Sequence, residues 1–309
     1  MLRQIAHDAL AMIDYRDHER AVLILADGEE AARRGRRTVE AAGCRVSDVA
    51  EVRGGADRLD RQVAMDAVWI ELEGDGGDDL DRLLNRLELG ARDQRFGSVI
   101  AFPVALIDPV AARTPHPSVV QLCEASDQER AAAIKLASAP RPTMLQDVRR
   151  EEGPEKLQQL SEEVGRIATM LASISEEAVA GAASASAEGA DGCREISAAK
   201  VRAMIRARRL RDQFFASDFF ADPAWDMLLD LMAARLEQQR VAVSSLCIAA
   251  AVPPTTALRW IKTLSDRGLF VRRADPQDGR RVYLELSDGA AAGMEAYLRA
   301  MERIGPLAV

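Results

Sequence analysis

The stretch from Val241 to Ser287 constrains the fold of this chain more than any other. Val241-Ala242-Val243 reads as a short strand, and Ser244 stands where it could cap a helix over Ser245 to Ala251. Val252-Pro253-Pro254 makes a turn; prolines are tolerated there because the first N–H groups of the next helix have no internal partner. Thr255 to Arg267 is a second helix, stopped by Gly268. Two alternating runs follow, Leu269 to Arg273 and Arg281 to Leu286, around a loop whose Pro276, Asp278 and Gly279 supply turn chemistry. A helix, a tight turn, a second helix and a two-stranded ribbon together predict an α+β winged helix-turn-helix.

On the second helix, Leu258, Ile261 and Leu264 share a face that belongs to a core. Thr255, Thr256, Arg259 and Thr263 share the opposite face, with Lys262 beside it. Hydroxyls, methyls and a guanidinium fork are what a helix needs to read base edges in the major groove. Ser244 and the wing residues Arg272, Arg273, Arg280 and Arg281 complete the candidate contact set, the last two placed for the minor groove or its phosphates. Asp278 is expected to pair with a wing arginine and hold it in pose. Trp260 is expected to pack at the core or its rim. The net charge of −8 conceals this basic surface: residues 240–281 hold 8 Lys+Arg against 3 Asp+Glu, whereas residues 1–200 hold 25 against 36.

Asp278-Gly279-Arg280-Arg281, followed by Val282, Leu284, Leu286 and Ser287, and preceded by Leu264-Ser265-Asp266-Arg267-Gly268-Leu269, resembles the winged helix of MarR-type regulators. The resemblance covers about a third of the chain. It implies a helix that reads the major groove, a wing arginine that enters the minor groove, and flanking helices that form a dimer and an effector pocket.

Upstream the texture is different. Residues 1–18 place Leu2, Ile5, Ala6, Ala9, Leu10 and Ile13 on one helical face. Short strand-like runs then recur at Ala21–Ala26, Asp66–Leu72, Ser98–Phe102 and Ser118–Cys123, with a further strand at Cys44–Val49 after a stop at Gly43, interleaved with helical segments to Ala42, over Asp78 to Leu89 and over Asp127 to Ser138. This alternation predicts a mainly parallel sheet covered on both faces, a flavodoxin-like α/β domain over residues 1–142. Leu157, Leu160, Val164, Ile167, Leu171 and Ile174 recur at heptad spacing and predict a coiled-coil helix over 143–178, the seam of a homodimer. Residues 179–194 are small and low in complexity, a linker to the winged helix domain at 195–309.

A sheet of this order followed by a heptad helix and a DNA reader is similar to a response-regulator receiver, and that resemblance specifies chemistry to look for. It implies acidic residues after the first strand; Asp27, Glu29 and Glu30 stand there. It implies an aspartate at the end of the third strand, where this chain has Glu71. It implies a hydroxyl residue ending the fourth strand and Lys-Pro after the fifth; Ala101-Phe102-Pro103 and Leu122-Cys123-Glu124 stand in their places. The expectation is a degenerate receiver that does not take phosphate. Asp75-Gly76-Gly77-Asp78 lacks a phosphate-loop lysine and reads as a plain loop.

Four scattered cysteines and three isolated histidines make no metal-ligand spacing and no nucleophile–base set, so neither an enzyme nor a metal or other cofactor is expected. No apolar run approaches the length of a membrane span. The reading is therefore a cytoplasmic, nucleoid-associated, sequence-specific transcription regulator. Its partners would be double-stranded DNA, a second copy of itself, and a protein or small-molecule effector at the N-terminal domain. The alternative is a signalling adaptor whose pseudo-receiver domain docks a protein partner. Operator, effector and the direction of regulation are not written in the sequence.

Overall fold

A computed structural model describes residues 20–62, 65–139, 196–215 and 220–304. The N-terminal amphipathic segment, the heptad seam from Leu157 to Ile174 and the 179–194 linker all lie outside the described residues.

The first half is built of β1 (Ala21–Ala26), α1 (Glu29–Ala41), β2 (Arg45–Glu51), α2 (Gly55–Arg61), β3 (Ala67–Glu71), α3 (Gly77–Arg92), β4 (Gly97–Phe102), a 3-10 turn (Val104–Leu106), α4 (Ile107–Arg113), β5 (Val119–Cys123) and α5 (Asp127–Ala137). All four strand pairs are parallel, in the order β2-β1-β3-β4-β5. This is the order of a flavodoxin-like doubly wound sheet. The central strands read as unbroken apolar runs because both faces are covered. Within β1 the alternation still sorts the side chains: Val22 and Ile24 face Val39 of α1 and Ile134 of α5, and Leu23 and Leu25 face α2 and α3. Leu80, Leu83, Leu84 and Leu87 are fully buried along α3. Each contributes about 2 kcal/mol of burial. α5 starts at a capping box, in which Ser126 Oγ accepts from Glu129 N while the Glu129 carboxylate accepts from Ser126 N.

The second half is built of α6 (Ala198–Leu210), a 3-10 turn (Arg211–Gln213), α7 (Pro223–Leu236), β6 (Val241–Ala242), α8 (Val243–Ala249), α9 (Pro254–Asp266), β7 (Phe270–Ala274), β8 (Val282–Leu286) and α10 (Asp288–Ile304). The three strands form an antiparallel sheet in the order β6-β8-β7. With α8 and α9 before the ribbon, this is a winged helix-turn-helix. Asp222 caps α7 by accepting from Trp225 N at 3.3 Å, with Pro223 in the first turn. Trp225 also meets Tyr297 of α10 edge-on, with ring centroids 4.8 Å apart.

Several expectations change in detail. The arginine-rich helix α6 ends at Leu210 and tightens into a 3-10 turn. Two short helices, α2 and α4, and the long α10 have no counterpart in the sequence reading. Ser244 is not a helix cap. β6 gives way at once to α8, Ala242 holds the N-cap position, and no side chain caps there. The described halves also belong to one compact unit. The buried apolar cluster on the α2, α3 and α4 side of the sheet runs unbroken into the winged helix.

Candidate nucleic-acid interface

The helix-turn-helix is shaped by its turn. α8 ends at Ala249, Ala251 adopts a left-handed φ of 50°, and Pro253 and Pro254 start α9. Ala257, Leu258, Ile261 and Leu264 are buried, which sets the core face of α9 as the periodicity predicts. Trp260 is half-buried against that core, at its rim. Arg259 is exposed, and Thr256 and Thr263 are partly so; the Thr263 hydroxyl donates back to Arg259 O at 2.9 Å. In the wing, Arg273 lies exposed beside Glu285 at 3.4 Å, and Arg281 lies exposed beside Asp278 at 3.4 Å. Asp278 also accepts from Arg280 N at 2.9 Å, so it holds the wing turn as expected.

The other five predicted contact residues face the α/β half. Ser244 N and Oγ both donate to the Asp108 carboxylate of α4, at 3.0 and 2.6 Å. An N–H in the first turn of α8 is thus satisfied by a carboxylate 136 residues away, the service expected of a local cap. Thr255 Oγ1 accepts from Cys123 N at 2.8 Å and donates to Cys123 O at 2.9 Å, closing on the last residue of β5. Lys262 is buried, and its Nζ donates to His116 O at 3.0 Å and to Val119 O. Burial pushes this ammonium down to about 7; the nearby Arg272 charge pushes the same way, and Glu88 and Asp266 oppose it. Arg272 Nη1 donates to Ala111 O at 3.0 Å. Arg280 turns away from the wing tip, pairing with Asp75 and, at 3.3 Å, with Asp81. The Arg280 guanidinium holds the Asp75 carboxyl below its ordinary range. The glycine-rich segment predicted as a plain loop is therefore a contact of the wing: Asp75 carries Arg280 on one side and accepts from Gly77 N at 2.9 Å on the other.

Sequence reasoning missed Asp108, Asp81 and the carbonyls of Ala111, His116, Val119 and Cys123. The carboxylates carried a faint signal, being acidic residues in a half rich in them. The carbonyls carried none, since any residue supplies one.

The carboxyl-terminal edge of the parallel sheet holds a second polar cluster. Glu71, at the end of β3, is 2% exposed. Its carboxylate accepts from Arg34 Nε at 3.0 Å, from Trp69 Nε1 at 2.8 Å and from Arg130. Arg130 also lies over the Trp69 ring, 5.2 Å from its centroid. Asp27 accepts from Glu73 N and Gly74 N, at 2.7 and 2.9 Å. Glu29 and Glu30 lie apart from this cluster in the first turn of α1, and Glu30 pairs with Arg33 at 3.0 Å. Among the described residues no group of three His, Cys, Asp or Glu is placed to hold a metal ion. No described helix is long and apolar enough to cross a membrane.

No family model matches the chain, and no curated protein matches it. Its likeness to solved structures is confined to about a third of its length. It is similar to the MepR–DNA complex of S. aureus at 17% identity, covering 34% of this chain and 80% of that one with a TM-score of 0.25. It is similar to a probable transcriptional regulator from Pseudomonas aeruginosa at 25% identity, covering 33% and 73% with a TM-score of 0.23. A transcriptional regulator from Thermotoga maritima aligns at 19% identity, covering 34% and 71% with a TM-score of 0.24.

Proposed function

We propose that this chain is a sequence-specific, DNA-binding transcription regulator that works as a homodimer, with α9 in the major groove and the β7–β8 wing on the minor groove. The observation that carries the reading is the α9 surface. Its core face is buried, while Thr256, Arg259 and Thr263 are partly or fully exposed, and Arg273 and Arg281 are exposed on the wing. An arginine fork reads guanine O6 and N7, and threonine reads either a polar edge or a thymine methyl. The exposed wing residues Arg273 and Arg281 would supply charge toward phosphates. Gel-shift titration against a selected duplex and a scrambled one tests the roles. Arg259→Ala is expected to erase discrimination between the two, and Arg281→Ala, at an exposed wing position, to weaken both alike. Wild-type behaviour of both variants would sink the assignment.

The homodimer is assigned to the heptad seam through Leu157, Val164 and Leu171. Val164→Lys should yield monomers in sedimentation velocity, and an unchanged dimer would place the interface elsewhere. The α/β half is assigned the part of a pseudo-receiver that takes no phosphate. What favours this is Glu71, whose carboxylate already accepts from three donors where a phospho-acceptor would have to stand open.

A second reading is a signalling adaptor that docks a protein partner and for which DNA is incidental. It draws support from the same helix, since α9 is already held by protein groups. Genomic footprinting set against affinity capture separates the two readings.

A further inference from the structure

Half of the ten predicted DNA contacts are bonded to the chain's own α/β half. Ser244, Thr255, Lys262, Arg272 and Arg280 are bonded there; Arg259 stays exposed, though near enough to Glu129 of α5 for its charge to act on that carboxyl. The partners of the five are alike in chemistry: the carboxylates of Asp75, Asp81 and Asp108, and the carbonyls of Ala111, His116, Val119 and Cys123. With the exception of Cys123 N, which donates to Thr255, they are acceptors. The carboxylates facing Ser244 and Arg280, and the carbonyls facing Lys262, are negative or partly negative acceptors of the same kind that phosphate oxygens and base edges offer.

We propose that the α/β half is an intramolecular competitor for DNA, its carboxylates and carbonyls occupying the winged helix in a closed form that must open before a duplex can bind. The inference rests on the DNA-binding reading above. Geometry requires the opening. A major groove about 12 Å wide admits an α-helix only when the helix stands clear on its groove-facing flanks. Here Thr255 in the first turn of α9 and Lys262 two turns later are both tied to β5 and the turn before it. The charge distribution suits the role: residues 1–200 carry 36 Asp+Glu against 25 Lys+Arg, and residues 240–281 carry 3 against 8. Release also separates apolar contacts, because the buried cluster continues across the junction. The closed form therefore lowers the apparent affinity by the fraction of molecules that are open.

The test uses the full chain and the double variant Asp75→Asn with Asp108→Asn, which keeps side-chain shape and removes two acceptor charges from the junction. A control, Asp57→Asn with Asp93→Asn, makes the same charge change at exposed positions of the α/β half. Two quantities are read: duplex affinity at low salt, and the rate at which an amine-reactive reagent labels Lys262, with exposed Lys135 and Lys200 as internal references. The junction variant is expected to bind DNA about tenfold tighter or more than both wild type and control, and to label Lys262 faster. Equal binding by junction variant and control, with wild type also binding, would overturn the competitor and leave the DNA reading intact. Labelling of Lys262 in free wild type as fast as Lys135 would overturn it too, because the closed form would then be scarce. Failure of all three proteins to bind any duplex would remove the DNA reading, and the competitor with it.

Discussion

Glu71→Gln is the substitution whose cost follows most directly from the structure. The Glu71 carboxylate is 2% exposed and gathers Arg34, Trp69 and Arg130, and Trp69 and Arg130 are themselves buried. Glutamine has the same shape but one acceptor oxygen. Its amide nitrogen would face the arginines or the indole N–H, donor against donor. Arg34 is partly exposed and keeps Glu73 as a partner at 2.9 Å, so its loss is small. Arg130 has no such recourse, being 8% exposed and paired to Glu71. Removing one partner of a buried ion pair costs about 3–5 kcal/mol, because the other charge stays desolvated. For a folded unit of this size each kcal/mol moves Tm by about 2–4 °C, so a loss on the order of 10 °C is expected. Urea titration followed by circular dichroism, with calorimetry beside it, measures both quantities. The double variant Glu71→Gln with Arg130→Met should recover much of the loss, since it removes the stranded charge as well. A single variant melting within about 2 °C of wild type would refute the reasoning, for it would mean that water already reaches the cluster.

Lys262 sets a pH dependence. Its pKa falls from an ordinary 10.5 to about 7, first through burial and then through the Arg272 charge, with Glu88 and Asp266 opposing. The folded state therefore penalises the protonated form. The penalty is complete below pH 7 and fades as pH rises from 7 toward 10.5, so stability climbs through that window. The slope approaches about 1.4 kcal/mol per pH unit, and urea midpoints for wild type between pH 7 and 9 should rise relative to Lys262→Met. Parallel profiles would contradict the burial of that ammonium. Ala251 holds a left-handed φ of 50° at the turn between α8 and α9. Glycine relieves the clash of its Cβ at some cost in unfolded-state entropy, so Ala251→Gly should stabilise by about 0.5–1 kcal/mol. A destabilised variant in chemical denaturation would show that the turn is not strained.

Much of the fold was legible in the sequence. The short apolar runs located β1, β3, β4 and β5 to within a residue or two, because a strand covered on both faces must be apolar along its whole length; β2, a half-exposed edge strand carrying Arg45, Ser47 and Asp48, was placed instead by the stop at Gly43 before it. Periodicity gave the core face of α9, the proline turn gave its start, and Asp278-Gly279 gave the wing. α4 was not legible: seven residues broken by Pro109 carry too few turns for a period to show.

What the chain encodes locally is therefore two sets of elements and the side chains that a duplex reader would use. What only the tertiary structure decides is where half of those side chains go. Thr255 meets Cys123 across 132 positions, and Lys262 meets His116 across 146. Most of the groups that receive these side chains are main-chain carbonyls, which every residue possesses and which therefore leave no mark in a sequence. Packing aims them, through the end of β5 and the placement of α4, and it is packing that turns a candidate DNA surface toward its own protein.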